Sequence, residues 1–210
     1  MPTPRCSGAG RATPPLPDIC IGVVLLGGPG SGKGTQAVRL AAAIGIPHIS
    51  TGDLFRDNVE RDTRLGRRAR RYIDEGVLVP DDVTRAMVRA RMDEDDTRWG
   101  FILDGYPRTR HQAEVLGGML TALRRSVLMA IHIRVSDREL LARLGERGRD
   151  DDNQRTIRNR LRTFHRYNGP LLEYYRERGP LHEVDGEGDA NEVFNRLTAV
   201  FPEATGFTTI

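Results

Sequence analysis

Apolar and polar positions follow two different periods along this chain, and the switches between them mark its elements. Unbroken apolar runs such as Val23 to Leu26 and Phe101 to Leu103 suit strands buried on both faces. With their turn punctuation, such runs predict strands over 19–26, 46–49, 100–104, 127–135 and 181–185. Between them apolar residues recur at helical spacing, as in Ala37, Leu40, Ala41 and Ile44, and in Leu65, Ala69, Tyr72 and Ile73. Ser50 or Thr51 is placed to cap a helix holding Leu54, Phe55 and Val59. Gly76 ends the next helix, and Pro80 sits at the first turn of another, with Asp81 and Asp82 complementing its dipole. A further helix ends near Arg147, and a new one starts at about Gln154. Strands alternating with helices predict an α/β chain: three α/β/α layers around a central parallel five-stranded sheet. Ligands of such sheets bind at the carboxyl ends of the strands.

Composition narrows the picture. At 210 residues the chain suffices for one α/β domain with small inserted flaps. No apolar run approaches the length of a membrane span. Residues 1–18 carry several prolines and lack a signal peptide's apolar core; we read them as a disordered extension, with a transit-like leader as the alternative, and 204–210 as a tail. Cys6 and Cys20 are the only cysteines, and their placement predicts no disulfide and a cytoplasmic chain. The formal charge of +3 raises the question of nucleic acid, but the arginines are interleaved with Asp and Glu as on solvated helix faces. The run from Arg61 to Tyr72 is the densest, and its apolar stripe favours a helix with a buried side over a nucleic-acid patch.

The chemistry concentrates in Gly27 to Thr35, GGPGSGKGT, between the first strand and an amphipathic helix. Gly27, Gly32 and Lys33 fit the G-x-x-x-x-G-K pattern of a phosphate-binding loop, in which backbone N–H groups and a helix N-terminus face a polyphosphate. The plain alternative is a glycine-rich turn. One departure stands out: Gly34 follows the lysine, and the hydroxyl comes at Thr35. Lys33 is the only lysine in the chain, kept where a compact ammonium suits phosphate better than a planar guanidinium. A second dense stretch is GFILDGYPRTRHQ. Asp104 ends an apolar strand where a carboxylate can hold a magnesium ion's water shell, or can simply cap the turn. Arg108, at the start of the next helix, suits a phosphate, and Gln112, one turn on, can read a base edge by its amide. Thr51 and Arg56 are placed to meet a second substrate. Arg147, Arg149 and Arg160 can close over a polyphosphate from the far side, while Arg143, Arg155, Arg158 and Arg162 read as solvated.

From about Val23 to about Phe201 the chain resembles the adenylate kinases of the bacterial short-lid type. The motifs are GGPGSGKGT, ISTGDLFR, VLVPDD, GFILDGYPRTRHQ, RGRDDD with Arg160 after it, and YNGPLLEYY. The resemblance implies a P-loop core over 19–203 with two mobile flaps, an AMP flap at 50–79 and a short lid at 146–152. It implies that Gly30, Ser31, Gly32, Lys33, Gly34 and Thr35, with Arg147 and Gly188, bind ATP. AMP would meet Thr51, Arg56, Val77, Leu78, Val79, Gly105, Tyr106, Pro107, Arg108, Gln112, Arg149 and Arg160. Lys33, Arg108, Arg149 and Arg160 would be catalytic, and Asp104 and Thr35 would hold Mg2+ through water. The implied reaction is reversible, Mg-dependent transfer from ATP to AMP giving two ADP, serving adenine-nucleotide homeostasis in a cytoplasmic monomer. Relatives with a structural zinc hold it by lid cysteines, which this chain lacks, so no zinc is expected. Asn168 stands where many relatives have threonine, with no functional account. The rivals are a kinase of UMP or CMP, whose members tend to carry alanine at the place of Thr51 and asparagines around Thr109 and Gln112, and a non-catalytic nucleotide-binding switch.

Overall fold

The computed structural model describes residues 21–127, 129–148, 153–179 and 181–201. Five strands, β1 (Ile21–Leu26), β2 (His48–Ser50), β3 (Gly100–Asp104), β4 (Met129–Arg134) and β5 (Leu181–Asp185), form one sheet in the order β2-β3-β1-β4-β5. Every pairing is parallel. The helices among the described residues are α1 (Lys33–Ile44), α2 (Thr51–Glu60), α3 (Arg64–Glu75), α4 (Asp81–Met92), α5 (Arg110–Ala122), α6 (Asp137–Glu146), α7 (Gln154–Arg178) and α8 (Ala190–Thr198), with a 3-10 turn at Asp95–Thr97. β3 and β5 match the expected strands residue for residue, β1 ends where expected, β4 is shorter than the expected 127–135, and β2 is shifted from the expected 46–49 to His48–Ser50. The proposed N-terminal extension and C-terminal tail lie outside the described residues.

The side-chain period of two explains the layers. Val23 and Leu25 point to one face, where they pack with Ala37 and Leu40 of α1 and Leu197 of α8. Val24 and Leu26 point to the other, against Val88 of α4, Leu116 of α5 and Leu171 of α7. With both faces covered, a strand has no polar side, hence the unbroken apolar runs. β1 is central, with β3 on one side and β4 on the other. The chain reverses direction there, and the crevice beyond the carboxyl end of β1 is where a ligand fits.

Two smaller clusters flank that crevice. Phe55, Ala69, Val79, Val83 and Met87 join α2, α3 and α4. Leu140, Leu144, Ile157 and Leu161 join α6 to α7. Local signals end the flanking helices as the sequence suggests: Gly76 stops α3 with φ 68°, and Thr63 caps its start by accepting from Gly66 N at 3.0 Å. Pro80 precedes α4 as its cap residue instead of lying in its first turn. The C-terminal end of α3 is tied to α7: Thr156 Oγ1 donates to Asp74 O at 2.9 Å and Asn159 Nδ2 to Glu75 O at 2.8 Å.

Candidate active site

The glycine loop forms the floor of a cleft of about 760 Å³. Its backbone needs glycine at two places in particular. Gly27 has φ 143°, and a Cβ there would lie 2.7 Å from Ile133 O. Gly32 has φ 90° and caps α1 without a side chain, so the first-turn N–H groups remain open to an anion. The sequence departure is accommodated: Gly34, in the first turn of α1, lies beside Asp104, and Thr35 follows on the cleft wall. Lys33 folds back over its own loop, donating from Nζ to Gly27 O at 2.9 Å, Gly28 O at 2.7 Å and Ser31 Oγ at 3.3 Å. Its ammonium is pulled down to about 8, chiefly because burial disfavours the charge; Asp104 opposes this, while Arg108 and Arg147 add to it. A cation held at such a cost waits for a negative partner.

Asp104 closes β3 level with Leu25 of β1 and Ser50 of β2, at the carboxyl edge of the sheet. His48 Nε2 stands 3.5 Å from its Oδ2, long for a good hydrogen bond. Burial alone would raise this carboxyl, but contact with His48 and the charges of Lys33 and Arg108 outweigh it and hold the group below the ordinary range. An ionised carboxylate and the Thr35 hydroxyl are hard oxygen donors, few in number, as a hydrated magnesium ion prefers.

Another wall of the cleft is assembled from separate segments. Ser50, not Thr51, caps α2, accepting from Asp53 N at 3.2 Å. Thr51 is buried and donates from Oγ1 to Asp104 O at 3.3 Å, so its hydroxyl braces the strand end instead of forming cleft surface. Arg56 lines the cleft and is paired with Asp53. Leu78 and Val79 also line it, whereas Val77 turns outward and is 37% exposed. Gly105, Pro107, Arg108 and Gln112 lie on the wall; Tyr106 is buried behind them, its hydroxyl donating to Gln112 O at 3.2 Å. Arg108 precedes α5, which Thr109 caps, instead of opening that helix. Arg108 Nε donates to Gly105 O at 2.8 Å. The guanidinium faces cleft water yet is walled in by protein; burial and Arg160 push its pKa down, and Asp104 opposes them. Gln112 does not present a free amide to the cleft. Its Oε1 accepts from Arg108 N at 2.7 Å and its Nε2 donates to Asp81 Oδ1 at 2.8 Å.

On the far wall stand Arg147, at the end of α6, Arg160 on α7, and Gly188, whose φ is 102°. Asn168 also lines the cleft. Arg149 lies outside the described residues. Arg143, read from the sequence as solvated, is instead half-buried on the cleft wall. It bonds Glu139 Oε1 at 2.7 Å, Gly186 O at 3.1 Å and Gly188 O at 3.4 Å, fixing the loop after β5. Sequence reading also passed over Asp81 as more than a helix-dipole partner. No helix among the described residues is long and apolar enough to cross a membrane.

A P-loop under a parallel sheet's carboxyl edge, with arginines from four further segments around one cleft, defines a nucleotide phosphotransferase. Comparison with known proteins narrows this. The family model described as adenylate kinase matches residues 25–180. An adenylate kinase of Mycobacterium sp. (strain MCS) is 53% identical over 174 residues, 83% of this chain and 95% of that protein. One from Thermobifida fusca (strain YX) is 48% identical over 183 residues, 85% and 97% respectively. One from Mycobacterium tuberculosis (strain ATCC 25618 / H37Rv) is 50% identical over 174 residues, 83% and 95%. The chain belongs to the adenylate kinase family.

Proposed function

We propose that this cleft transfers a phosphoryl group reversibly from ATP to AMP, giving two ADP. The observation that carries the reading is the convergence of Lys33, Asp104, Arg108 and Arg160 on the one cleft floored by the glycine loop. Phosphoryl transfer asks little covalent chemistry of a protein; positioning and charge neutralisation supply the catalysis. The open first turn of α1 and the loop amides hold the donor phosphates. Lys33 exchanges its loop carbonyls for phosphate oxygens and regains its full charge. Arg108 and Arg160, with Arg149, stabilise the moving group and the AMP phosphate. Arg147 and Gly188 border the ATP side; Thr51, Arg56, Val77, Leu78, Val79, Gly105, Tyr106, Pro107 and Gln112 form or brace the AMP side. Mg2+ supplies charge neutralisation at the outer phosphates when bound, and Asp104 with Thr35 would hold its water shell.

Residues 50–79 act as the AMP flap; their packing around a cluster separate from the main core supports this. Residues 146–152 act as the lid, excluding water that would otherwise accept the phosphoryl group. We place the enzyme in the cytoplasm as a monomer, on the family resemblance. The test is acceptor specificity. Purified protein is incubated with Mg·ATP and AMP, CMP, UMP or GMP, and the products are resolved by chromatography. AMP alone should be converted to diphosphate. Preferred use of CMP or UMP would overturn the base assignment, and no turnover by folded, ATP-binding protein would overturn the enzyme reading.

A further inference from the structure

We infer that Asp81 locks the direction in which Gln112 presents its amide, and so determines which base edges the acceptor site admits. The inference rests on the reading of the cleft as an ATP:AMP phosphotransferase. A primary amide is a two-way probe: turned over, it exchanges donor for acceptor. Here both ends are committed. The Arg108 backbone N–H can only donate, and it reaches Gln112 Oε1 at 2.7 Å. The Asp81 carboxylate can only accept, and its Oδ1 receives Nε2 at 2.8 Å. A flipped amide would set NH2 against N–H and oxygen against carboxylate. Gln112 is only 3% exposed, so water cannot relieve either mismatch. The lock is therefore chemical, since neither neighbour can change its role.

Each end of the amide keeps one function unused: the second N–H of Nε2 and the second lone pair of Oε1. The small exposed part of Gln112 lines the cleft, and on this inference that part carries the two unused functions to a base. They offer a donor and an acceptor in one fixed order. An adenine edge, with ring N1 as acceptor beside an exocyclic amine as donor, matches that order. A hypoxanthine or guanine edge, with N1–H as donor beside O6 as acceptor, carries the reverse and meets donor with donor. Asp81 heads α4 directly after the flap, and its other oxygen, Oδ2, stands 3.9 Å from His111 Nε2. It is thus a positioning residue that acts through Gln112.

The experiment compares acceptors that differ only at this edge: AMP, IMP, and the purine monophosphate lacking any 6-substituent. In wild-type protein kcat/KM should fall from AMP to the unsubstituted purine to IMP, with IMP at least about 100-fold below AMP, because a reversed pair is worse than a missing one. Asp81→Asn lets its own amide turn to face a flipped Gln112, so a flip then meets one mismatch, at the Arg108 N–H, in place of two. The AMP-to-IMP ratio should then drop about tenfold or more, with the loss for AMP falling on KM and not on kcat. Asp81→Glu keeps an acceptor and should retain the ratio. Asp82→Asn removes a neighbouring charge from the same helix end and should also leave the ratio within about twofold. An unchanged ratio in Asp81→Asn, an equal change in Asp82→Asn, or wild-type use of IMP above the unsubstituted purine would each overturn the lock. Failure of wild-type protein to phosphorylate AMP at all would instead overturn the proposed function on which it rests. If Asp81→Asn does not fold, Asp81→Ala, which also removes the obligate acceptor, takes its place, and an unchanged ratio there would overturn the lock.

Discussion

On the proposed function, the donor and acceptor sides of the cleft are built on opposite plans. The donor grip is local: loop, lysine and helix start are consecutive in sequence, and Lys33 leans on carbonyls five and six residues before it. The acceptor grip is distributed over α2, the segment after α3, the start of α4 and the turn before α5, held together by a small core of its own. A local grip depends on its few residues. A distributed one depends on packing, and damage far from any ligand should reach it.

The largest effect should come from the donor side. Lys33→Met removes the one ammonium facing the phosphates, and kcat/KM should fall by about 10³-fold or more with the circular dichroism spectrum unchanged. Near wild-type turnover would mean the loop amides suffice. The acceptor side should break at a distance. A Cβ at Gly66 would lie 2.0 Å from Asn58 O and 2.3 Å from Asn58 C, both backbone atoms. Alanine favours a helix interior over glycine by about 1 kcal/mol, but a clash of that depth forces α3 off α2 and should cost about 1–3 kcal/mol net. Gly66→Ala should therefore raise KM for AMP about tenfold while ATP affinity, read by calorimetry, stays within about twofold. Equal losses for both nucleotides would erase the contrast.

A subtler test is pH. The folded value of Lys33, about 8, lies below its ordinary 10.5. The burial cost is thus fully present below pH 8 and fades as pH rises towards 10.5, where the unfolded chain also loses the proton. Lys33→Met should melt higher than wild type at pH 7, with the gap closing in alkali. Phosphate binding should restore the charge, so ATP should take up about half a proton or more at pH 8–9, seen as buffer-dependent binding heat. Heat that does not vary with buffer would refute the assignment. The smallest effect belongs to the surface between α3 and α4. Arg68 Nη2 bonds Asp82 Oδ2 at 2.7 Å, and this pair draws the Asp82 carboxyl below its usual range, yet both side chains are about half exposed. Arg68→Gln should shift the melting temperature by under about 2 °C.

The same contrast governs what was legible in the sequence. The sheet and the glycine loop could be read because their signals are contiguous: an apolar run, a glycine pattern, a helical stripe. Thr51 was recognised as a site position, but its role as a buried brace on Asp104 appears only once β2 and β3 are paired. Arg143 was missed because one arginine among 31, the 32 basic residues less Lys33, looks like another until the loop after β5 is brought to it. Asp81 was missed for a related reason. Its partner Gln112 lies 31 residues away, and nothing local distinguishes a carboxylate serving a helix dipole from one steering an amide.

One tie described in the fold has a dynamic meaning. The end of α3 is fastened to α7 by Thr156 and Asn159. Any outward swing of α3 must first unfasten both. At about 1 kcal/mol net for each bond, the pair weights the balance towards the shut position by roughly thirtyfold. The same stretch of α7 carries Arg160 into the cleft. If the proposed flap opens to admit an acceptor, two side chains outside the phosphate machinery set part of the cost of that opening.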